Sequence, residues 1–283
     1  MKRIIFFIII IAVVLSLASC SKSKEAEESF MKGEAAYDSM KYDEAIAAYD
    51  KAVALDTAYA KAYNSRGVAY FTKKDMAKAI ADYTRATKLD SNYAWPYSNR
   101  ASAYMEKMEF SKAAADIEKA IKLDPAIPEP YLNRGNLKYM DQDYKASIAD
   151  FNKAIELKTS FNEALYGRAR CHVKLKEFDK AIADLTQIAA VEPDNFGVVY
   201  ERALAYYEKE DFENAAADFT KAIGINKEVS TAYSNRARAY YNLKKFKESA
   251  EDFNEFLRLS GNKFGNADQV RKFIKEMGYK PLY

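Results

Sequence analysis

The chain is poor in the residues that staple, punctuate or catalyse. It has two cysteines and one histidine in 283 residues. A disulfide framework needs more of the former, and a metal centre needs two to four converging ligands, so no such site and no cofactor are expected. Nine glycines and six prolines are too few turn residues for a sheet protein of this length, which favours long helices joined by short connections. Runs of one charge are missing too. The 44 Lys and Arg are interspersed with 41 Asp and Glu, which argues against a nucleic-acid surface. No glycine-rich phosphate loop follows a strand pattern, and paired carboxylates carry little information among so many acids. Enzymatic activity is therefore not expected.

A long apolar run occurs only at the start, from Ile4 to Ala18 behind Lys2 and Arg3. As a helix, such a run rises roughly 22 Å, short of the ~30 Å hydrocarbon core, so residues 1–19 read as an export signal rather than a span. The residues Leu17-Ala18-Ser19-Cys20 that follow resemble the lipobox of bacterial lipoproteins. The resemblance implies cleavage before Cys20, which would become the lipidated N-terminus, with residues 20–25 as a tether. It places the protein in the bacterial cell envelope, reaching a membrane through its lipid anchor only, because two or three acyl chains anchor stably where one does not. Ser21 stands where an inner-membrane retention signal would be Asp, which points to the outer membrane. The stretch Lys22 to Glu28 reads equally as a surface-export signal or a solvated tether, so the face is left open.

What the rest of the chain has in abundance is repetition. The stretch Tyr63-Asn64-Ser65-Arg66-Gly67 returns as Tyr97-Ser98-Asn99-Arg100-Ala101, Tyr131-Leu132-Asn133-Arg134-Gly135 and Tyr233-Ser234-Asn235-Arg236-Ala237, at a period of 34 or its multiples. Counting from Ala26, Ala60, Ala94, Pro128, Asn162, Phe196 and Ser230 tiles residues 26–263 with seven gapless repeats. The eighth place is small throughout: Gly33, Gly67, Ala101, Gly135, Ala169, Ala203 and Ala237. The twentieth is Ala or Ser, and the twenty-fourth is large, from Tyr49 and Tyr83 to Phe253. Apolar places thus recur at three- and four-residue steps, as on helices whose small residues admit a close neighbour. A period of this size marks a stacked array.

These residues resemble the tetratricopeptide repeat over about five-sixths of the chain. The resemblance implies an all-α fold: a right-handed superhelical solenoid of seven helix pairs, followed at residues 264–283 by a C-terminal capping helix and tail. Val270, Phe273, Ile274 and Met277 form the apolar stripe of that cap, which covers Phe256, a ring standing where most repeats carry Ala. The turn between paired helices is expected near Lys41-Tyr42, Glu109-Phe110, Glu177-Phe178 and Asp211-Phe212, with Asp43, Ser111 and Asp179 as N-caps.

Two polar columns accompany the repeat. Arg66, Arg100, Arg134, Arg168, Arg202 and Arg236 share the seventh place, and Asp82, Asp116, Asp150, Asp184, Asp218 and Asp252 the twenty-third, whereas the first repeat lacks both. Joint presence and absence predict a charge pair within each repeat, joining its two helices. Cys171 and His172 fall in the small and the aromatic columns, so both read as core substitutions.

In the family, the first helix of each repeat lines a concave groove. Carried over, the groove is lined by Asn64, Phe71, Trp95, Met105, Leu132, Asn136, Tyr139, Tyr166, Arg170, Tyr200, Tyr207 and Arg238. Exposed aromatics with adaptable Met suit a protein or peptide partner. The column containing Phe71, Met105, Tyr139 and Tyr207 could equally be packing between repeats. No repeat has Lys at its fifth place, so the family's carboxylate clamp is missing. The expected function is a monomeric, non-enzymatic envelope scaffold. The alternative is a glycan- or small-ligand-binding accessory of an envelope transport system.

Overall fold

The computed structural model describes residues 23–261 and 267–283, and Cys20 with the whole leader lies outside them. All regular structure among the described residues is helical. Helix α1 covers residues 23–38. It is followed by α2 (Tyr42–Leu55), α3 (Ala60–Thr72), α4 (Met76–Leu89), α5 (Ala94–Glu106), α6 (Phe110–Leu123), α7 (Pro128–Met140) and α8 (Tyr144–Leu157). Then come α9 (Asn162–Lys174), α10 (Phe178–Val191), α11 (Phe196–Glu208), α12 (Phe212–Ile225), α13 (Ser230–Asn242), α14 (Phe246–Ser260) and α15 (Ala267–Glu276). From α3 to α13, each odd helix begins 34 residues after the last odd one. No helix among the described residues is long and apolar enough to cross a membrane.

The chain divides into an N-terminal part ending at Leu137 and a C-terminal part beginning at Lys138. In the N-terminal part α3 packs on α2, α4 and α5; in the C-terminal part α9 packs on α8 and α10, and α13 on α11, α12 and α14. Small residues make these approaches possible. Where the twenty-fourth place is Tyr, the eighth is Gly: a Cβ on Gly33 or Gly67 would sit 2.5 or 2.6 Å from the ring of Tyr49 or Tyr83. Where it is Ile117, Leu185 or Phe219, an alanine fits opposite, and all these side chains are at most 1% exposed. Burying each contributes roughly 1.5–3 kcal/mol.

The turn inside each repeat has a feature invisible in the residue pattern. Met40, Lys74, Met108, Gln142, Lys176, Glu210 and Lys244, all at the fifteenth place, adopt φ between 58° and 66°. This left-handed residue ends the first helix: the next amide bonds back to a carbonyl five residues earlier, as in Asp75 N to Tyr70 O at 2.9 Å and Lys245 N to Tyr240 O at 2.9 Å. The second helix therefore starts earlier than expected. Tyr42, Phe110, Phe178 and Phe212 are its first residues rather than turn residues, and Asp43, Ser111 and Asp179 lie within its first turn rather than at the cap. The residue before the helix is the cap, and Asp75, Asp143 and Asp211 there accept amides from Lys78, Ala146 and Asn214. An aromatic pair holds the turn shut, with Tyr37 on Tyr42 at 5.4 Å, Tyr207 on Phe212 at 5.4 Å and Tyr241 on Phe246 at 5.6 Å.

The arginine column does more than the predicted pairing. Arg66, Arg100, Arg168, Arg202 and Arg236 each grip their own repeat's aspartate through Nε and Nη2, at 2.6–2.9 Å. The remaining Nη1 reaches back to the twenty-fifth residue of the preceding repeat. Arg66 finds Asp50 at 2.6 Å, Arg100 Thr84 at 3.0 Å, Arg134 Glu118 at 3.0 Å, Arg168 Asn152 at 2.7 Å, Arg202 Thr186 at 3.2 Å and Arg236 Thr220 at 2.9 Å. The guanidinium is thus a three-way rivet joining two helices of one repeat to the repeat before. The first repeat, with none before it among the described residues, carries Lys32 at that place.

At the far end the corresponding acceptor is Asn254. Its side chain takes Leu282 N at 2.7 Å and offers Nδ2 to Lys280 O at 3.5 Å, so the tail stands where the next arginine would reach. Phe256 is buried in one cluster with Val270 and Ile274 of α15, and Phe273 and Met277 pack on that cluster.

Candidate functional site

The expected groove residues fall on the odd helices, and the structure sorts them sharply by environment. In the N-terminal part, Asn64 is 7% exposed and bonded rather than displayed. It accepts Asn99 Nδ2 at 3.0 Å and lies 3.5 Å from the Tyr93 hydroxyl, so it is a strut between α3 and α5. Asn133 makes the next rung, to Ser102 Oγ at 2.9 Å. Phe71 and Met105 are half-buried against the clusters around Tyr83 and Ile117. Leu132 and Asn136 on α7 are also half-buried. Trp95 differs from all of these, with 43% of its surface in solvent in the first turn of α5.

In the C-terminal part, Tyr139 meets Tyr144 edge-on at 5.4 Å, and its ring lies under the Arg170 guanidinium at 4.4 Å. The exposed Arg170 is therefore oriented by a cation–π contact. Tyr166 packs on the cluster around Leu165 and Leu185, and burial pushes its hydroxyl above the usual tyrosine range, with the charge of Glu201 adding to the effect. Tyr200 stacks on Phe196 at 5.4 Å and accepts Asn235 Nδ2 at 2.7 Å. Tyr207 lies against Phe212, and its hydroxyl is 3.4 Å from Asn242 Nδ2. Arg238 is exposed on α13.

One residue of this region was not expected. Glu201 is half-buried on α11, and burial raises its carboxyl above the usual range while the charges of Arg170 and Lys174 pull the other way. The signal was present in the sequence: the sixth place holds Ser65, Asn99, Asn133, Gly167 and Asn235 in the neighbouring repeats, and an acid only here. A partly desolvated carboxylate beside two cations and Tyr166 can receive a cationic or hydrogen-bonding group from a partner.

Cys171 and His172 are buried, as their columns suggested. Cys171 Sγ donates to Ser147 Oγ at 3.2 Å, and His172 Nδ1 lies 2.6 Å from Glu177 Oε2. Glu177 is held below the usual carboxylate range first by Lys180 and then by His172. The pair closes the turn after α9, much as the aromatic pairs do elsewhere.

The sequence model described as tetratricopeptide repeat matches residues 30–94, 98–160, 132–196 and 200–263, which together are most of the chain. The chain belongs to the tetratricopeptide repeat family. Proteins of this family act generally as non-enzymatic scaffolds that bind protein or peptide partners. No curated protein sequence matches this tetratricopeptide chain. Among solved structures, a tetratricopeptide repeat protein from Parabacteroides merdae is 20% identical, with a TM-score of 0.57 over 90% of this chain and 99% of its own. PilF of Pseudomonas aeruginosa is 16% identical, with a TM-score of 0.63 over 78% of this chain and 98% of its own. YrrB, described as a tetratricopeptide protein with an unusual peptide-binding site, is 18% identical, with a TM-score of 0.61 over 69% and 97%. At these identities the likeness speaks for the tetratricopeptide fold.

Proposed function

We propose that the protein is a lipid-anchored scaffold of the bacterial cell envelope that holds a segment of a partner protein against its odd-numbered helices. The observation that carries this reading is the display of ring and guanidinium groups there. Trp95 stands out from α5 in the N-terminal part, and Arg170 is posed on Tyr139 beside Tyr166 and Glu201 in the C-terminal part. Trp, Tyr and Arg are the side chains that carry most interface energy. Family membership and the peptide-binding site described for YrrB support the same reading. Asn64 is left out of the site because its amide is engaged inside the fold. The anchor rests on the Leu17-Ala18-Ser19-Cys20 match, with Ser21 favouring the outer membrane.

The test is a crosslinking pull-down from intact cells, comparing wild type with the Trp95→Ala, Tyr166→Ala, Arg170→Ala variant. Removing such anchors costs about 2 kcal/mol each when they are central, so partner recovery should fall at least roughly thirtyfold. Unchanged recovery of the same partners would sink the assignment. A Cys20→Ala variant analysed alongside should leave the membrane fraction, and its retention there would refute the anchor.

A further inference from the structure

A cavity of about 350 Å³ opens between α13, α14 and α15. Phe253, Val270 and Phe273 give it apolar walls, and Ser234, Arg238, Gln269, Lys272 and Glu276 give it polar ones. Two of its charges largely cancel, since Lys272 Nζ lies 3.8 Å from Glu276 Oε1 one turn along α15, both well exposed. That leaves Arg238. The arginines at the seventh place all have acceptors, and Arg170 lies on a ring, whereas the Arg238 guanidinium has no ion pair or hydrogen-bond partner among the described residues. Asn242 Nδ2 donates to the Arg238 backbone carbonyl at 2.9 Å and leaves the guanidinium unengaged.

An exposed guanidinium fork at the mouth of an apolar cleft has a definite chemical complement. The fork matches the two oxygens of a carboxylate, and the rings behind it exclude water from whatever carries that carboxylate. The volume lies near the lower end for ligand sites, enough for one ring or branched side chain with its head group and too small for a nucleotide. We propose that this cavity binds a carboxylate borne on an apolar body of single-residue size, supplied by a peptide chain end or by a free apolar amino acid. Arg238 lies on α13, one of the odd-numbered helices of the reading above, but the cavity uses none of Trp95, Tyr166 and Arg170, so the two can be tested apart.

The experiment is a calorimetric or chemical-shift titration of the full-length protein with N-acetyl-L-phenylalanine, its amide, and free L-phenylalanine. N-acetyl-L-phenylalanine should bind saturably in the millimolar range. The uncharged amide, and the acid against an Arg238→Gln variant, should bind at least about tenfold more weakly, as loss of a charged hydrogen bond requires. The Trp95→Ala, Tyr166→Ala, Arg170→Ala variant should bind like wild type. Tighter binding of the acetylated acid assigns the chain end as the source, and tighter binding of the free amino acid assigns the metabolite; both support the cavity. Equal binding of acid and amide, undiminished affinity in Arg238→Gln, or no saturable binding overturns the proposal.

Discussion

Arg66→Ala is expected to lower the stability of the purified protein by about 3–5 kcal/mol at pH 7, the cost of stranding a buried carboxylate. Asp82 is the carboxylate concerned. Its side chain is 8% exposed and receives two parallel hydrogen bonds from Arg66, at 2.7 Å each. The third bond, to Asp50, contributes little, because that side chain is 53% exposed and a surface pair is worth about 0–1 kcal/mol. Urea unfolding should therefore separate the contacts, with Asp50→Ala nearly silent and Arg66→Ala severe. Replacing both buried partners, as in Arg66→Met with Asp82→Leu, should restore most of the loss.

The pH dependence of that loss has a definite sign. Burial holds Asp82 above the ordinary carboxylate value of 3.8, and the hydrogen bonds of Arg66 pull it back down. Without Arg66 the downward pull disappears, so the folded-state value rises further. A carboxyl whose folded pKa exceeds its unfolded one destabilises the fold as pH climbs through the window between the two values. The deficit of Arg66→Ala should therefore shrink as pH falls from 7 into that window above 3.8. An equal deficit at pH 7 and pH 4.5 would mean that the carboxylate is not stranded.

The opposite outcome is expected at the seven left-handed turns. A residue with a Cβ pays roughly 1–2 kcal/mol in that conformation, and glycine escapes this at the cost of a more flexible unfolded chain, about 0.5–1 kcal/mol. Met108→Gly, at a side chain 77% exposed with little packing to lose, should gain about 0.5–1 kcal/mol. Met108→Ala should gain nothing, since alanine keeps the Cβ. The seven sites lie 34 residues apart with no shared partner, so their gains should add to roughly 4–7 kcal/mol. Urea midpoints for the two single variants and the sevenfold one check this. A Met108→Gly protein no more stable than Met108→Ala would show that the turn is not strained.

The residue pattern disclosed what depends on identity and hid what depends on shape. Gly67 against Tyr83 and Ala101 against Ile117 had to be small against large, so the period, the helix pairs and the capping role of Val270 and Ile274 were legible. The Arg66–Asp82 pairing was legible because both members vanish together in the first repeat. The reach of each arginine into the previous repeat was not, because Asp50, Thr84, Glu118, Asn152, Thr186 and Thr220 share no chemistry beyond an acceptor oxygen. The left-handed turns were hidden for a related reason: seven dissimilar residues occupy one conformation. Among the expected groove residues, position put Trp95, Tyr166 and Arg170 on the odd helices, where the structure has Trp95 and Arg170 exposed and Tyr166 half-buried, but position alone placed Asn64 on the surface. Only the Asn99 contact moves it inside.

The tolerance of that acceptor column has a consequence at the level of the gene. Each guanidinium speaks only to its own repeat and the one before, and any oxygen at the twenty-fifth place answers it. A recombination event that removes or copies one whole repeat therefore brings together two faces that already know how to join, and no charge is orphaned at the scar. An event out of phase by even one residue would part the arginine at the scar from its partners, because every such contact spans a fixed 16 residues. Array length is thus free to drift in whole repeats, while the terminal seat at Asn254, held by the tail, has to be kept at the end.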